Sequence, residues 1–159
     1  MQKLNLPEYD LKLKKESGRL MVFDIFRQKY LVLTPEEHVR QHFARYLIEE
    51  RSYPASLMMT EYSLRLNRMS KRCDIIVFNR KREAVVLVEC KSPDVKISQA
   101  VFDQVARYNI AFSVAYLMVT NGLKHYCCKV DFSSGDVLFL KEIPSYSSIT
   151  GDIGENAHP

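Results

Sequence analysis

Hydrophobic and polar positions alternate along residues 10–33. In "DLKLKK" Leu11 and Leu13 share a face, "ESGR" reads as a turn, and "RLMVFDIF" resumes the extended pattern, which predicts an N-terminal β extension over residues 1–33. The period changes at Thr34. Thr34 can cap a helix, Pro35 suits its first position, and Glu37 stands three residues after the cap. Val39, Phe43, Tyr46 and Leu47 then recur at helical spacing, predicting a helix from 35 to about 50. "LMMTEYSLRL" reads as a strand, "NRMSKR" as a basic turn, "CDIIVFN" and "AVVLVECK" as two further strands joined by "RKRE". Both faces of the last two are apolar, so the sheet is expected to be covered on each side.

Val101, Val105, Tyr108 and Phe112 mark a second helix over roughly 98–112, followed by a buried strand in "SVAYLMVT". Asn121-Gly122 signals a hairpin into "LKHYCCKVDF", and Ser133 to Asp136 turn the chain into "VLFLKEI". The order of helix, three strands, helix, strand and hairpin predicts an α/β fold, an α+β sandwich with a mixed central sheet and helices on both faces. One domain over residues 1–144 is expected, with 145–159, rich in Ser, Gly and Thr, as a flexible tail. With five glycines and no Gly-rich turn, a dinucleotide-binding fold is excluded.

Composition narrows this only a little. The net charge of +4 permits nucleic acid as a partner without demanding it. Cys73, Cys90, Cys127 and Cys128 form no Cys-x-x-Cys pair, so reduced thiols in the cytoplasm are expected rather than disulfides or zinc. His38 and His42 have the helical spacing of zinc ligands but no evident third ligand. The start lacks the apolar core of a signal peptide, and no run approaches the ~20 apolar residues of a membrane span.

The chemistry concentrates in "AVVLVECKSP", where an apolar strand ends on Glu89 and Lys91. Asp74 opens the preceding strand. A short turn joins the two, so antiparallel pairing sets Asp74 beside Glu89. Facing carboxylates repel, and a divalent cation relieves this. Mg²⁺ accepts one or two carboxylates with waters and phosphate oxygens, and the Cys90 backbone carbonyl can add a ligand. A lysine two residues away suits phosphodiester hydrolysis. The plainer reading is an ion pair at a strand end, with Lys91 neutralising Asp74 and Glu89. Arg65, Arg68, Lys71 and Arg72 likewise form either a solvated face or a phosphate-binding flank.

Asp74 followed by Glu89-Cys90-Lys91 resembles the PD-(D/E)xK nuclease signature. "LTPEEHVRQHF", "KRCDIIVF", "LVECKSPDVKISQAVFDQVARYN" and "YLMVTNGLKHYCC", in this order across about residues 20–132, resemble the N-terminal nuclease domain of type I restriction enzyme R subunits. The resemblance implies a restriction-endonuclease-like core of order αβββαβ and a Mg²⁺-dependent endodeoxyribonuclease, with Mn²⁺ able to substitute. Asp74 and Glu89 would hold the metal, Lys91 would be the catalytic lysine, and Gln104 and Tyr108 would match a Gln-x-x-x-Tyr feature on the following helix. A first-helix glutamate often joins such sites. Glu36 and Glu37 compete for that place, and Glu36 is preferred because Glu37 has a capping role. Cys73 stands where the motif name expects Pro.

The implied partners are double-stranded DNA, methyltransferase and specificity subunits or a separate helicase motor, with no membrane, in a prokaryotic cytoplasm. No Walker A sequence occurs in these residues, so translocation is not expected of them. The alternative is a non-catalytic DNA- or protein-binding module on the same fold.

Overall fold

The structure is a computed structural model. It describes residues 1–152, apart from the side chains of Leu66, Tyr108, Ile110 and Ala111. A six-stranded mixed sheet runs in the order β4 (Met58–Leu66), β5 (Met69–Phe78), β6 (Ala84–Cys90), β7 (Tyr116–Thr120), β8 (His125–Val130) and β9 (Val137–Leu140). Only β6 and β7 pair in parallel, and α2 (Gln99–Phe112) makes the crossover between them. The first helix, α1 (Pro35–Arg51), packs Val39, Phe43, Ala44 and Leu47 against Ile75, Val77, Val86 and Val88. On the opposite face α2 packs Phe102 and Val105 against Cys73, Ile76, Leu87 and Leu117. Cys127 and Cys128 divide between the two cores, as their adjacency in a strand requires. This is the predicted α+β sandwich with helices on both faces.

The N-terminal extension is a separate three-stranded antiparallel sheet of β1 (Leu13–Glu16), β2 (Arg19–Asp24) and β3 (Lys29–Val32). The sequence pattern assigned no separate strand to β3.

Three expectations change. The basic turn over 67–72 shrinks to Asn67 and Arg68, with Asn67 at φ 55°, because Leu66 already pairs with Met69. Lys71 and Arg72 therefore lie in a strand. The Asn121-Gly122 turn is a four-residue loop, since Thr120 pairs with His125. Gly122 has φ 82°, a conformation that favours glycine, and a Cβ there would come within 2.7 Å of the Leu4 side chain, which would have to shift. Residues 145–152 are not a loose tail. Ser145 caps a short helix, α3 (Tyr146–Thr150), and Tyr146 is fully buried with its hydroxyl donating to the Phe78 carbonyl at 3.1 Å. One buried aromatic anchors a segment whose composition signalled nothing. The tail expected over 153–159 lies outside the described residues.

Candidate active site

β6 pairs with β5 only from Ile75 onward, so β4 and β5 continue past it as a two-stranded arm. The candidate residues gather where that arm leaves the sheet. One step beyond the Ile75–Val88 pair, Asp74 stands opposite Glu89. The Cys90 amide donates to Asp74 Oδ2 at 2.7 Å, and Asp74 Oδ1 lies 3.4 Å from Arg40 Nη1. Glu89 is largely buried, with Lys71 Nζ 3.0 Å from its Oε1. Burial first, and then the Asp74 carboxylate, push the Glu89 carboxyl up to about 6 against the opposing pull of Lys71.

Glu36, on the first turn of α1, joins this field. Desolvation and Asp74 raise its carboxyl above the ordinary range, while Lys91 and Arg40 lower it. Lys91 lies just past the end of β6, half-buried, and its amide donates to the Thr120 carbonyl at 2.8 Å. The fold thus brings Asp74, Glu89, Lys91, Glu36, Lys71 and the Cys90 backbone to one end of β6.

Sequence reasoning missed the middle of the cluster. Arg40, buried on α1, ion-pairs with Glu37 and Glu61 and faces Asp74. Glu37 is no reciprocal capping partner. Thr34 Oγ1 accepts from its amide at 3.1 Å, but its carboxylate goes to Arg40 and to Gln41 Nε2 at 2.9 Å. Glu61 also pairs with Arg72 and sits in β4 at φ 52°, a left-handed conformation unusual in a strand. Alternation breaks on the paired strand too: Cys73 packs on the α2 side, yet Asp74 reaches Arg40 and Ile75 packs on the α1 side. The available signals were a lone arginine on the apolar stripe of α1 and an acid interrupting "MMTEYSL". The cluster extends through Arg27, 3.9 Å from Glu37, to Asp24, fully buried and bonded by Arg27 Nε at 3.0 Å and Thr60 Oγ1 at 3.3 Å.

Two expected members stand apart. Arg68 is at the tip of the arm, six residues from Asp74, about 20 Å at strand rise. Gln104 is exposed on α2 and, among the described residues, makes no hydrogen bond to Asp74, Glu89 or Lys91. Tyr108 lies on α2, and its side chain is outside the described residues.

Cys73 replaces the motif's proline without taking a polar role. Its thiol is buried and pushed up to about 12, first by desolvation and then by Glu89. Among the described residues no group of three or more His, Cys, Asp or Glu side chains could hold a metal ion. A closed zinc site is not what this donor set suits. Two facing carboxyls, one holding its proton to about pH 6, do suit a cation that takes two carboxylates and completes its shell with a carbonyl and water. The balance agrees. Asp24, Glu36, Glu37, Glu61, Asp74 and Glu89 outnumber Arg27, Arg40, Lys71, Arg72 and Lys91 by one.

Without metal, the raised Glu89 carboxyl sets a sign for stability. The folded state holds a proton there up to about pH 6, whereas an unfolded glutamate releases it near 4.5. This contribution is fully present below about 4.5 and lost as pH rises through 6. In EDTA at pH 7, Glu89→Gln is expected to raise the unfolding free energy by up to about 2 kcal/mol in urea titrations, with the gain shrinking toward pH 4.5.

The family model described as the type I restriction enzyme R protein N terminus matches residues 35–144. Among solved structures, a fragment assigned to an HsdR subunit of a type I restriction enzyme from Vibrio vulnificus YJ016 superposes with a TM-score of 0.52 at 18% identity. The match covers 74% of this chain and 24% of that one, so this chain spans about a quarter of its structural relative. At such identity the likeness bears on the fold. No curated protein sequence matches the chain. The family match covers the helix, the arm, the "VECK" strand and the crossover that build the carboxylate cluster, and the chain belongs to the type I restriction enzyme R protein N-terminal family.

Proposed function

We propose that this chain is a divalent-metal-dependent DNA endonuclease domain that hydrolyses phosphodiester bonds, serving restriction in the cytoplasm of a prokaryotic cell. The observation that carries the reading is the juxtaposition of Asp74 and Glu89 one step past the last β5–β6 pair, with Glu89 pushed up to about 6. Two carboxyls brought together in a largely buried place are costly unless cations offset them, and with Lys71 on Glu89 and Arg40 facing Asp74 the Glu89 carboxyl is still pushed up. Asp74, Glu89 and the Cys90 carbonyl would hold Mg²⁺ or Mn²⁺. When bound, the ion supplies charge neutralisation at the phosphate and a more acidic water. Lys91 stabilises charge developing at the phosphate and orients the attacking water. Glu36 raises the acid count beside Lys91, and Arg40 fixes the Asp74 carboxylate. Lys71 and Arg72 flank the site on the arm and would meet phosphate only by giving up their pairs with Glu89 and Glu61. Double-stranded DNA is the substrate, and methyltransferase, specificity and motor subunits or domains are the working partners. Among the described residues no helix is long and apolar enough to cross a membrane.

One observation favours a second reading. Arg40 already faces Asp74, so the cluster can stand as a charge-balanced scaffold in a non-catalytic DNA- or protein-binding module. Supercoiled plasmid separates the two. The endonuclease reading expects open circles in Mg²⁺ or Mn²⁺, none in EDTA, and none with Asp74→Asn. It also expects Mn²⁺ to raise the melting temperature of the wild type and not of Asp74→Asn. Neither nicking nor a metal-linked rise would leave the scaffold reading.

A further inference from the structure

The N-terminal sheet lies outside the residues matched by the family model, which begin at 35. Residues 11–33 carry six Lys or Arg and two Asp or Glu, a net +4 that equals the net charge of the whole chain. The inner face of this sheet is docked at Val22 and Asp24, both fully buried, while Leu13 and Leu20 on the same face stay exposed. The outer face carries Phe23 and Tyr30, paired across β2 and β3 with ring centroids 5.3 Å apart. Lys12 Nζ stands 5.1 Å from the Phe23 centroid, and Lys14 Nζ 4.2 Å from that of Tyr30. In the next row Lys14, Met21 and Val32 lie side by side. One carboxylate, Glu16, reaches this face and pairs with Lys14 at 3.2 Å.

We infer that the outer face of β1–β3 is a binding platform for single-stranded DNA. Its parts match that ligand: aromatic rings for unpaired bases and lysines for the phosphates between them. Both rings are half-buried, and the lysines over them gain only about 0.5–1 kcal/mol at a protein surface, so a phosphate can draw them away at small cost. The inner face ties the platform to the carboxylate cluster through Asp24, Arg27 and Glu37. A strand held here is thus led toward the proposed nuclease site, and in that respect the inference rests on the nuclease reading.

The test is binding of a labelled oligo(dT) of about 20 nucleotides in EDTA, read by fluorescence anisotropy across a salt series. Lys12→Glu/Lys14→Glu, both at the surface, is expected to weaken binding at least about tenfold and to flatten the log-log salt slope by about 1.4. Circular dichroism checks that this variant is folded. The chain has no tryptophan, so Tyr30→Trp is a lone reporter whose emission a stacked base quenches. Quenching by oligo(dT), and none by heparin or a blunt duplex, is the expected pattern. Unchanged affinity in the lysine variant, or saturation without quenching, overturns the inference. Plasmid nicking by the wild type, with oligo(dT) affinity unchanged in the Lys12→Glu/Lys14→Glu variant, sinks the platform alone, while platform binding without nicking sinks the nuclease reading alone.

Discussion

Replacing Arg40 with methionine is expected to cost about 3–5 kcal/mol of folding stability, a large share of the ~5–15 kcal/mol typical of a domain. The arginine is 7% exposed, and Glu37, which it pairs with, only 3%. Its guanidinium also pairs with Glu61 and faces Asp74. Methionine keeps most of the stem volume, so the loss reports charge rather than a cavity. What remains is a set of carboxylates inside the fold, with Arg27 at 3.9 Å the nearest cation to Glu37. Removing one partner of a buried network costs more than removing the network, because the survivors keep their desolvation penalty. The triple variant Arg40→Met/Glu37→Gln/Glu61→Gln is accordingly expected to recover most of the stability. Urea unfolding of the single and triple variants checks both statements. A single variant within about 1 kcal/mol of wild type would show that Arg40 is not the hub of the cluster.

That hub also marks where sequence reasoning ran out. Period-two alternation and a short turn were enough to set Asp74 against Glu89, because antiparallel register is a local consequence of chain reversal. Helix boundaries were legible from Thr34, Pro35 and the apolar spacing. The Arg40–Glu61 pair was not, since it depends on how α1 lies across the sheet and on a left-handed residue at a position where alternation fails. A pattern that assumes regular strands cannot find a side chain displaced by the irregularity itself. Glu37 was misread for a related reason. The capping signal was real at its backbone, but a buried cation three residues on outbids the cap for its carboxylate. At the C-terminus one buried tyrosine ordered a stretch whose composition resembled a tail.

Lys91→Ala is expected to lower plasmid nicking by about 10²–10⁴-fold at saturating Mn²⁺ while leaving the metal-linked rise in melting temperature unchanged. Lys71, Arg40 and Arg72 are each tied to a carboxylate in an ion pair. Lys91 forms none among the described residues, although its charge is felt at Glu36. Its backbone is fixed to β7 through the Thr120 carbonyl, so the sheet positions the side chain, and among the described residues no ion pair takes up its charge. A lysine so placed is set to answer charge that develops at a phosphate, and binding of the ion does not require it. Asp74→Asn, by contrast, is expected to lose both nicking and the metal-linked rise. The pH profile supplies an independent check. With Glu89 pushed up to about 6, protons would compete with the proposed metal as pH falls through that value, and nicking is expected to decline on the acid side. More Mn²⁺ moves this limb to lower pH by mass action, and Lys91→Ala should leave the limb where it is. A lysine variant that nicks at the wild-type rate would remove Lys91 from the reaction and leave the carboxylate pair to account for it.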